Sequence, residues 1–270
     1  MKKYAPRWVA LALSSSALAA QNIPMTTEAH PATTHAASRQ LIENYLTVIG
    51  GKQAHISLHN VVATGTIKEA SRVRQFELLE TQDGKRRVNY SWNHLGRDYE
   101  EVFAFDGLVT WQQQIAPKKT PIKPYSGQAA IHFKSHRWLI QPMILPLKAP
   151  FGFIYQGMAK VSGRQAYIVV GYDEKNERSW FYFDPEKFLL TRWGGIEAIA
   201  KISEYMDYRA TKFSKINGVL LPKQIDLWAE NSQFGTITFD QIRVNQGIDS
   251  QLFRGVPRPV RVLRQQTLPR

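Results

Sequence analysis

Apolar and polar residues alternate with a period of two through most of the chain, and the exceptions fall in a few separate stretches. The alternation starts in residues 61–67. It continues in 73–81, where Arg74, Phe76 and Leu78 share a side, and then in Val88, Tyr90 and Trp92. In residues 98–105, Tyr99, Phe103 and Phe105 share a face, and residues 108–115 follow. Side chains two apart on a strand point the same way, so this period predicts half-buried strands. Asp83-Gly84 and Asp106-Gly107 fall between runs and read as hairpin turns, which makes the block an up-and-down antiparallel meander. The pattern resumes at Phe151, Phe153 and Tyr155 and passes through 165–172, 180–183, 189–193, 202–210, 219–228 and 236–244. Ser162-Gly163 and Asp184-Pro185 supply further turns. The expectation is a mainly β, antiparallel, single domain of roughly ten or eleven strands.

Two stretches carry a helical period instead. Leu41, Ile42, Tyr45, Leu46 and Ile49 lie on one face of a helix over 39–50, opened by Ser38 and stopped by Gly50 and Gly51. A short second helical turn is expected over 52–58. Between about 126 and 147, Ile131, Trp138, Leu139 and Ile140 are spaced for helix, and Pro142, Pro146 and Pro150 break the region into short pieces. A helical insert between two blocks of meander is where a lid would sit.

The N-terminus follows neither period. Lys2, Lys3 and Arg7 precede an apolar run from Trp8 to Ala20, with Ala17 and Ala19 at the −3 and −1 positions of a small-residue cleavage site. That order is the layout of a secretory signal peptide. The reading is a signal peptide over 1–19, a flexible leader over 20–37, a folded domain over 38–256 and a basic tail over 257–270. Export places the protein in the periplasm and argues against chemistry that depends on cytosolic nucleotides.

Composition sharpens this. The chain of 270 residues has no Cys, so disulfides, thiol catalysis, thiolate metal sites and an acylated N-terminal Cys are excluded. Seven Trp, eleven Tyr and thirteen Phe supply a large apolar core. The net charge of +13 suits an anionic membrane surface, and no helix-turn-helix, zinc-finger or RNA-binding signature points to nucleic acid. The tail from Arg254 to Arg270 has five Arg, three Pro and no acid, which fits a disordered end or an arm for an anionic partner.

Catalytic patterns are missing from the sequence: it holds no G-x-S-x-G, H-E-x-x-H or P-loop. His55 and His59 are four apart, as are His132 and His136, but neither pair has the acidic neighbour of a zinc hydrolase. Glu100 and Glu101 are adjacent on one strand and must face opposite ways, so they do not form a catalytic pair. Large apolar side chains on alternating strand positions are the main resource. A meander with one helical insert has too few helices to fill a barrel-sized concavity, which leaves room for an apolar ligand.

Several segments together resemble the LolA/LolB-like superfamily of exported lipoprotein carriers, as a divergent branch. They are Tyr45-Leu46-x-x-Ile49-Gly50-Gly51 with Val62-Ala63-Thr64-Gly65, and Phe105-Asp106-Gly107 with Trp111. They continue with Val161 to Tyr167, with Phe181-Tyr182-Phe183-Asp184-Pro185 before Leu189-Leu190, and with Tyr208, Gly218, Leu221, Pro222 and the late Leu252-Phe253. The resemblance implies an open, strongly curved antiparallel half-barrel whose mouth is plugged by helices. It also implies an apolar cavity for lipoprotein acyl chains or another lipid, with no cofactor and no catalysis.

The candidate cavity-lining residues are Phe76, Leu78, Tyr90, Trp92, Phe103, Phe105, Trp111, Trp138, Leu139, Phe153, Trp180 and Tyr182. A slip of one residue on any strand inverts its contribution. The expected partners of this monomer are acyl chains, an anionic membrane surface and an envelope membrane protein. A lipid sensor that signals to a protein partner, and an exported hydrolase, are the alternatives.

Overall fold

In a computed structural model of the chain, the described residues are 36–135, 137–140, 143, 152–161, 163–172, 178–199, 202–229 and 232–255. The expected signal peptide, most of the leader, the three insert prolines and the basic tail lie outside them. Helix α1 (Ala36–Val48) and the short α2 (Lys52–Ile56) precede six strands. These are β1 (Asn60–Glu69), β2 (Arg72–Thr81), β3 (Arg86–His94), β4 (Arg97–Phe105), β5 (Thr110–Ala116) and β6 (Lys123–Pro124). Helix α3 (Gln128–Ser135) opens the insert. Seven more strands follow: β7 (Gly152–Val161), β8 (Arg164–Tyr172), β9 (Arg178–Phe183), β10 (Leu190–Ile199), β11 (Ile202–Ile216), β12 (Val219–Ala229) and β13 (Ser232–Val244). A last 3₁₀ turn covers Ser250–Phe253.

Among the described residues, thirteen strands form one antiparallel sheet in the order β6-β5-β4-β3-β2-β1-β13-β12-β11-β10-β9-β8-β7. The count exceeds the expected ten or eleven. β6 is part of the reason: it pairs only Lys123 and Pro124 with β5, and two residues carry no readable period. The sheet is two meanders joined at its centre by β1 against β13. Among the described residues its edge strands are β6 and β7, which are consecutive and linked by the insert.

The sheet curls around that insert. In the strand order β3 and β11 are five spacings apart, about 24 Å along a flat sheet. Yet neighbouring residues of α3 reach both. The Phe133 carbonyl accepts from Arg86 Nη1 on β3 at 2.8 Å, and the His132 ring hydrogen-bonds the Tyr208 hydroxyl on β11. One short helix spans that interval only if the sheet is bent into a half-barrel.

Gly65 marks the sharpest point of the central seam. The register slips between Thr64 and Gly65, and a Cβ there would stand 2.0 Å from the Thr238 carbonyl oxygen and 2.9 Å from the Phe76 ring. At the base of the barrel, Gly50 has φ +126° and lies against the Gly218 carbonyl, so α1 ends where β12 begins. Leu41, Ile42 and Tyr45 of α1 are buried, and Tyr45 meets Phe183 edge-on at 5.5 Å. The helix starts at Ala36, two residues before the Ser38 cap read from sequence, and the Ser38 side chain is buried in the first turn.

Candidate functional site

The concave face of the sheet is apolar from β7 round to β2. Ile67, Leu78, Phe153, Val169, Phe181, Phe183, Trp193, Ile225, Ile237 and Phe239 belong to one buried cluster. The insert fills the trough these residues make. Trp138, Leu139, Ile140 and Met143 are all buried in the same cluster. Trp138 meets the Phe76 ring edge-on at 5.3 Å and Phe239 at 6.2 Å. The enclosed space left between Tyr45, Leu139, Trp193 and Leu221 measures about 10 Å³, far too little for an acyl chain. Among the described residues, these insert side chains plug the trough.

A buried carboxylate fastens the plug. Glu80, near the end of β2, is fully buried on the concave face and stands opposite Arg86 of β3, also buried. It accepts hydrogen bonds from three consecutive backbone amides: Trp138 at 3.1 Å, Leu139 at 3.1 Å and Ile140 at 2.9 Å. Successive N–H groups converging on one anion form a nest, and the low dielectric around it strengthens each bond. Arg86 Nε lies 3.3 Å from the same carboxylate, and its guanidinium covers the rings of Phe133 at 4.7 Å and Trp138 at 5.0 Å. Arg137 donates to the Thr81 carbonyl at 2.8 Å, and burial lowers its pKa from the usual guanidinium range.

Burial also disfavours the charged form of two histidines. Burial and the nearby Arg86 charge lower His132 to about 3. Burial lowers His55 as well, and that side chain is almost fully enclosed. Among the described residues no group of three or more His, Cys, Asp or Glu could hold a metal, and His136 lies outside them. Among the same residues no helix is long and apolar enough to cross a membrane.

The residues predicted to line a cavity divide by sheet face. Phe76, Leu78, Trp138, Leu139 and Phe153 are buried together on the concave side, with Tyr90 packed against them. Phe103, Phe105 and Trp92 share that side on β3 and β4 but are half-buried. Phe103 touches Tyr90 at 5.9 Å and Phe133 at 6.4 Å, Phe105 lies under Lys134 at 5.6 Å, and Trp92 stacks on Tyr99 at 5.3 Å.

The other three lie on the convex side. On β9, Phe181 pairs with Val169 and Trp193 of the inner cluster, so Trp180 and Tyr182 face outward, where Arg192 covers Tyr182 at 4.9 Å. All four residues from Trp180 to Phe183 are apolar, and alternation alone cannot choose between two apolar faces. Trp111 packs with Val102 and Ala104 on the outer face of β5, and its Nε1 donates to the Phe253 carbonyl at 2.7 Å. The chain after β13 straps across that outer face and covers it.

Sequence reasoning missed Glu80 and Arg86. The signal was present: Phe76, Leu78 and Glu80 share one face, as do Arg86 and Val88, so two charges interrupt apolar rows.

No family model matches the chain, and no curated protein matches it. Solved structures do. A LolA superfamily protein from Nitrosomonas europaea aligns over 80% of this chain and 96% of its own, at 8% identity and a TM-score of 0.51. The chain has the LolA-like fold. A putative outer membrane lipoprotein-sorting protein domain from Vibrio parahaemolyticus aligns over 78% of this chain and 97% of its own, at 11% identity and a TM-score of 0.48. A DUF1329 family protein from Desulfovibrio piger aligns over 80% and 96%, at 14% identity and a TM-score of 0.44. At 8% identity the likeness to the Nitrosomonas protein speaks for the fold alone.

Proposed function

We propose that this protein is an exported, non-enzymatic carrier that takes up acyl chains of a lipoprotein or another lipid on its concave face. The observation that carries the reading is the plug. Trp138, Leu139 and Ile140 occupy an apolar trough, and what anchors their backbone is a hydrogen-bonded carboxylate on the sheet. Displacing them would open a continuous apolar lining from Phe76 to Phe153. Each acyl methylene buried there contributes roughly 0.8 kcal/mol, so a long chain can offset the loss of the plug's own contacts. The LolA-like fold supports the reading, and so do the basic balance and the signal-peptide layout of the N-terminus.

The test is native mass spectrometry of protein exported to the periplasm, followed by solvent extraction. Co-purified lipid or acylated peptide, recovered chemically unchanged, supports a carrier. Hydrolysed product in place of intact lipid would replace it with an enzyme. Protein that stays empty after incubation with lipid micelles would overturn the reading.

A further inference from the structure

The concave face is not apolar throughout. At its β4–β5 end lies an open hollow of about 180 Å³, lined by Glu101, Phe103, Gln112, Gln114, Thr120 and Lys123. The pleat explains the lining: Glu101 stands opposite Gln114, and Phe103 opposite Gln112, so all four point inward. Glu101 is half-buried and makes no hydrogen bond or ion pair among the described residues, and the side-chain amides of Gln112 and Gln114 are likewise without partners there.

We infer that this hollow is the headgroup subsite for a phospholipid bearing a primary amine, with the ammonium on Glu101 and the adjacent phosphate on Lys123. The inference rests on the lipid-carrier reading and names the class of lipid. An ammonium has three N–H donors and no acceptor. Glu101 supplies the charge and the two glutamines supply amide oxygens, a matching set of acceptors. Tyr90 flanks Glu101 from β3, and Phe103 stands beside it on β4, so aromatic faces adjoin the carboxylate. The phosphate side is served from the rim. Lys123 is exposed there, and Lys118 and Lys119 are exposed in the loop that leads to Thr120.

A headgroup without an ammonium can still place its phosphate on Lys123, but it leaves the Glu101 carboxylate unmatched. The hollow also connects to the plug. Phe103 contacts Phe133, and the Arg86 guanidinium bridges Phe133 and Trp138. A lipid with its headgroup in the hollow therefore has an aromatic track for its chains toward the trough.

The experiment titrates the full mature protein by calorimetry with three short-chain lipids: dihexanoyl-phosphatidylethanolamine, dihexanoyl-phosphatidylglycerol and dihexanoylglycerol. The expected result is at least tenfold tighter binding of the ethanolamine lipid than of either other. Glu101→Gln should erase that preference, and Lys123→Met should weaken binding of the ethanolamine lipid. Equal affinity for all three lipids overturns the subsite while leaving the carrier reading intact. If no lipid binds, the carrier reading fails, and free phosphoethanolamine is then titrated against the glutamine side-chain amide signals by NMR. Shifts at Gln112 and Gln114 that vanish in Glu101→Gln support the subsite on its own, and no shift overturns it.

Discussion

The carboxylate of Glu80 accepts the backbone N–H of Leu139 at 3.1 Å, although the two residues are 59 positions apart. The sheet thus grips the main chain of the insert, and the apolar side chains on either side follow from that grip.

Glu80→Ala removes the anion that faces three amides and leaves Arg86 buried without its carboxylate. Breaking one side of a buried ion pair typically costs about 3–5 kcal/mol. A clear fall in the urea midpoint is expected. Glu80→Gln keeps an acceptor but loses the charge, so its fall should be smaller, while amide exchange at Trp138, Leu139 and Ile140 rises well above that of the sheet. Native exchange rates at these amides would show that the carboxylate does not hold the plug.

Trp138→Ala empties the space between Phe76 and Phe239. Truncating a buried Trp costs about 3–5 kcal/mol in lipid-free protein. If acyl chains occupy the same trough, added lipid should restore a larger share of the lost thermal stability in Trp138→Ala than it adds to the wild type. Equal gains in both proteins would separate the trough from the ligand.

Gly65→Ala drives a methyl group into the Thr238 carbonyl and the Phe76 ring. The Phe76 ring can shift, but the carbonyl is backbone in the central seam. A lower melting temperature is expected, with the largest chemical-shift changes along β1 and β13. A variant as stable as the wild type would mean that the seam is more yielding than its geometry indicates.

Stability should fall in mild acid. In the folded protein burial lowers the pKa of His55 and, with the Arg86 charge, that of His132 to about 3, whereas the unfolded chain titrates each at the ordinary value of 6.5. Below that value the unfolded state binds more protons, so folded stability is complete above about pH 7 and declines as pH drops. The slope approaches about 1.4 kcal/mol per pH unit for each fully unprotonated native imidazole. His132→Gln keeps a polar group near Tyr208 and should flatten the urea midpoint between pH 6.5 and 4.5. An unchanged slope would assign the acid sensitivity elsewhere.

The strand text was readable because the inner rows are apolar and the turns carry Gly or Asp. Phe76, Leu78 and Phe153 could be placed from alternation alone. Trp180 and Tyr182 could not, because β9 is apolar on both faces and only its pairing with Val169 and Trp193 decides which side faces in. Trp111 was ambiguous for a different reason: its cover is Phe253 and the chain that follows, 142 positions away. The Glu80 latch was hidden because a strand glutamate reads as solvated unless its three amide partners are known to arrive from a distant insert.

The central seam sets a condition on how the molecule is made. Of the described strands β1 is the first to leave the ribosome and its partner β13 the last, so Val61 must wait for Val244. Either meander can zip locally, hairpin by hairpin, but the two cannot join until β13 has emerged. Non-local pairing of this kind is slow and leaves strand edges exposed in the interval. A nascent chain would therefore carry an unmatched β1 edge until β13 emerges, and that edge is where a chaperone would have the most to protect.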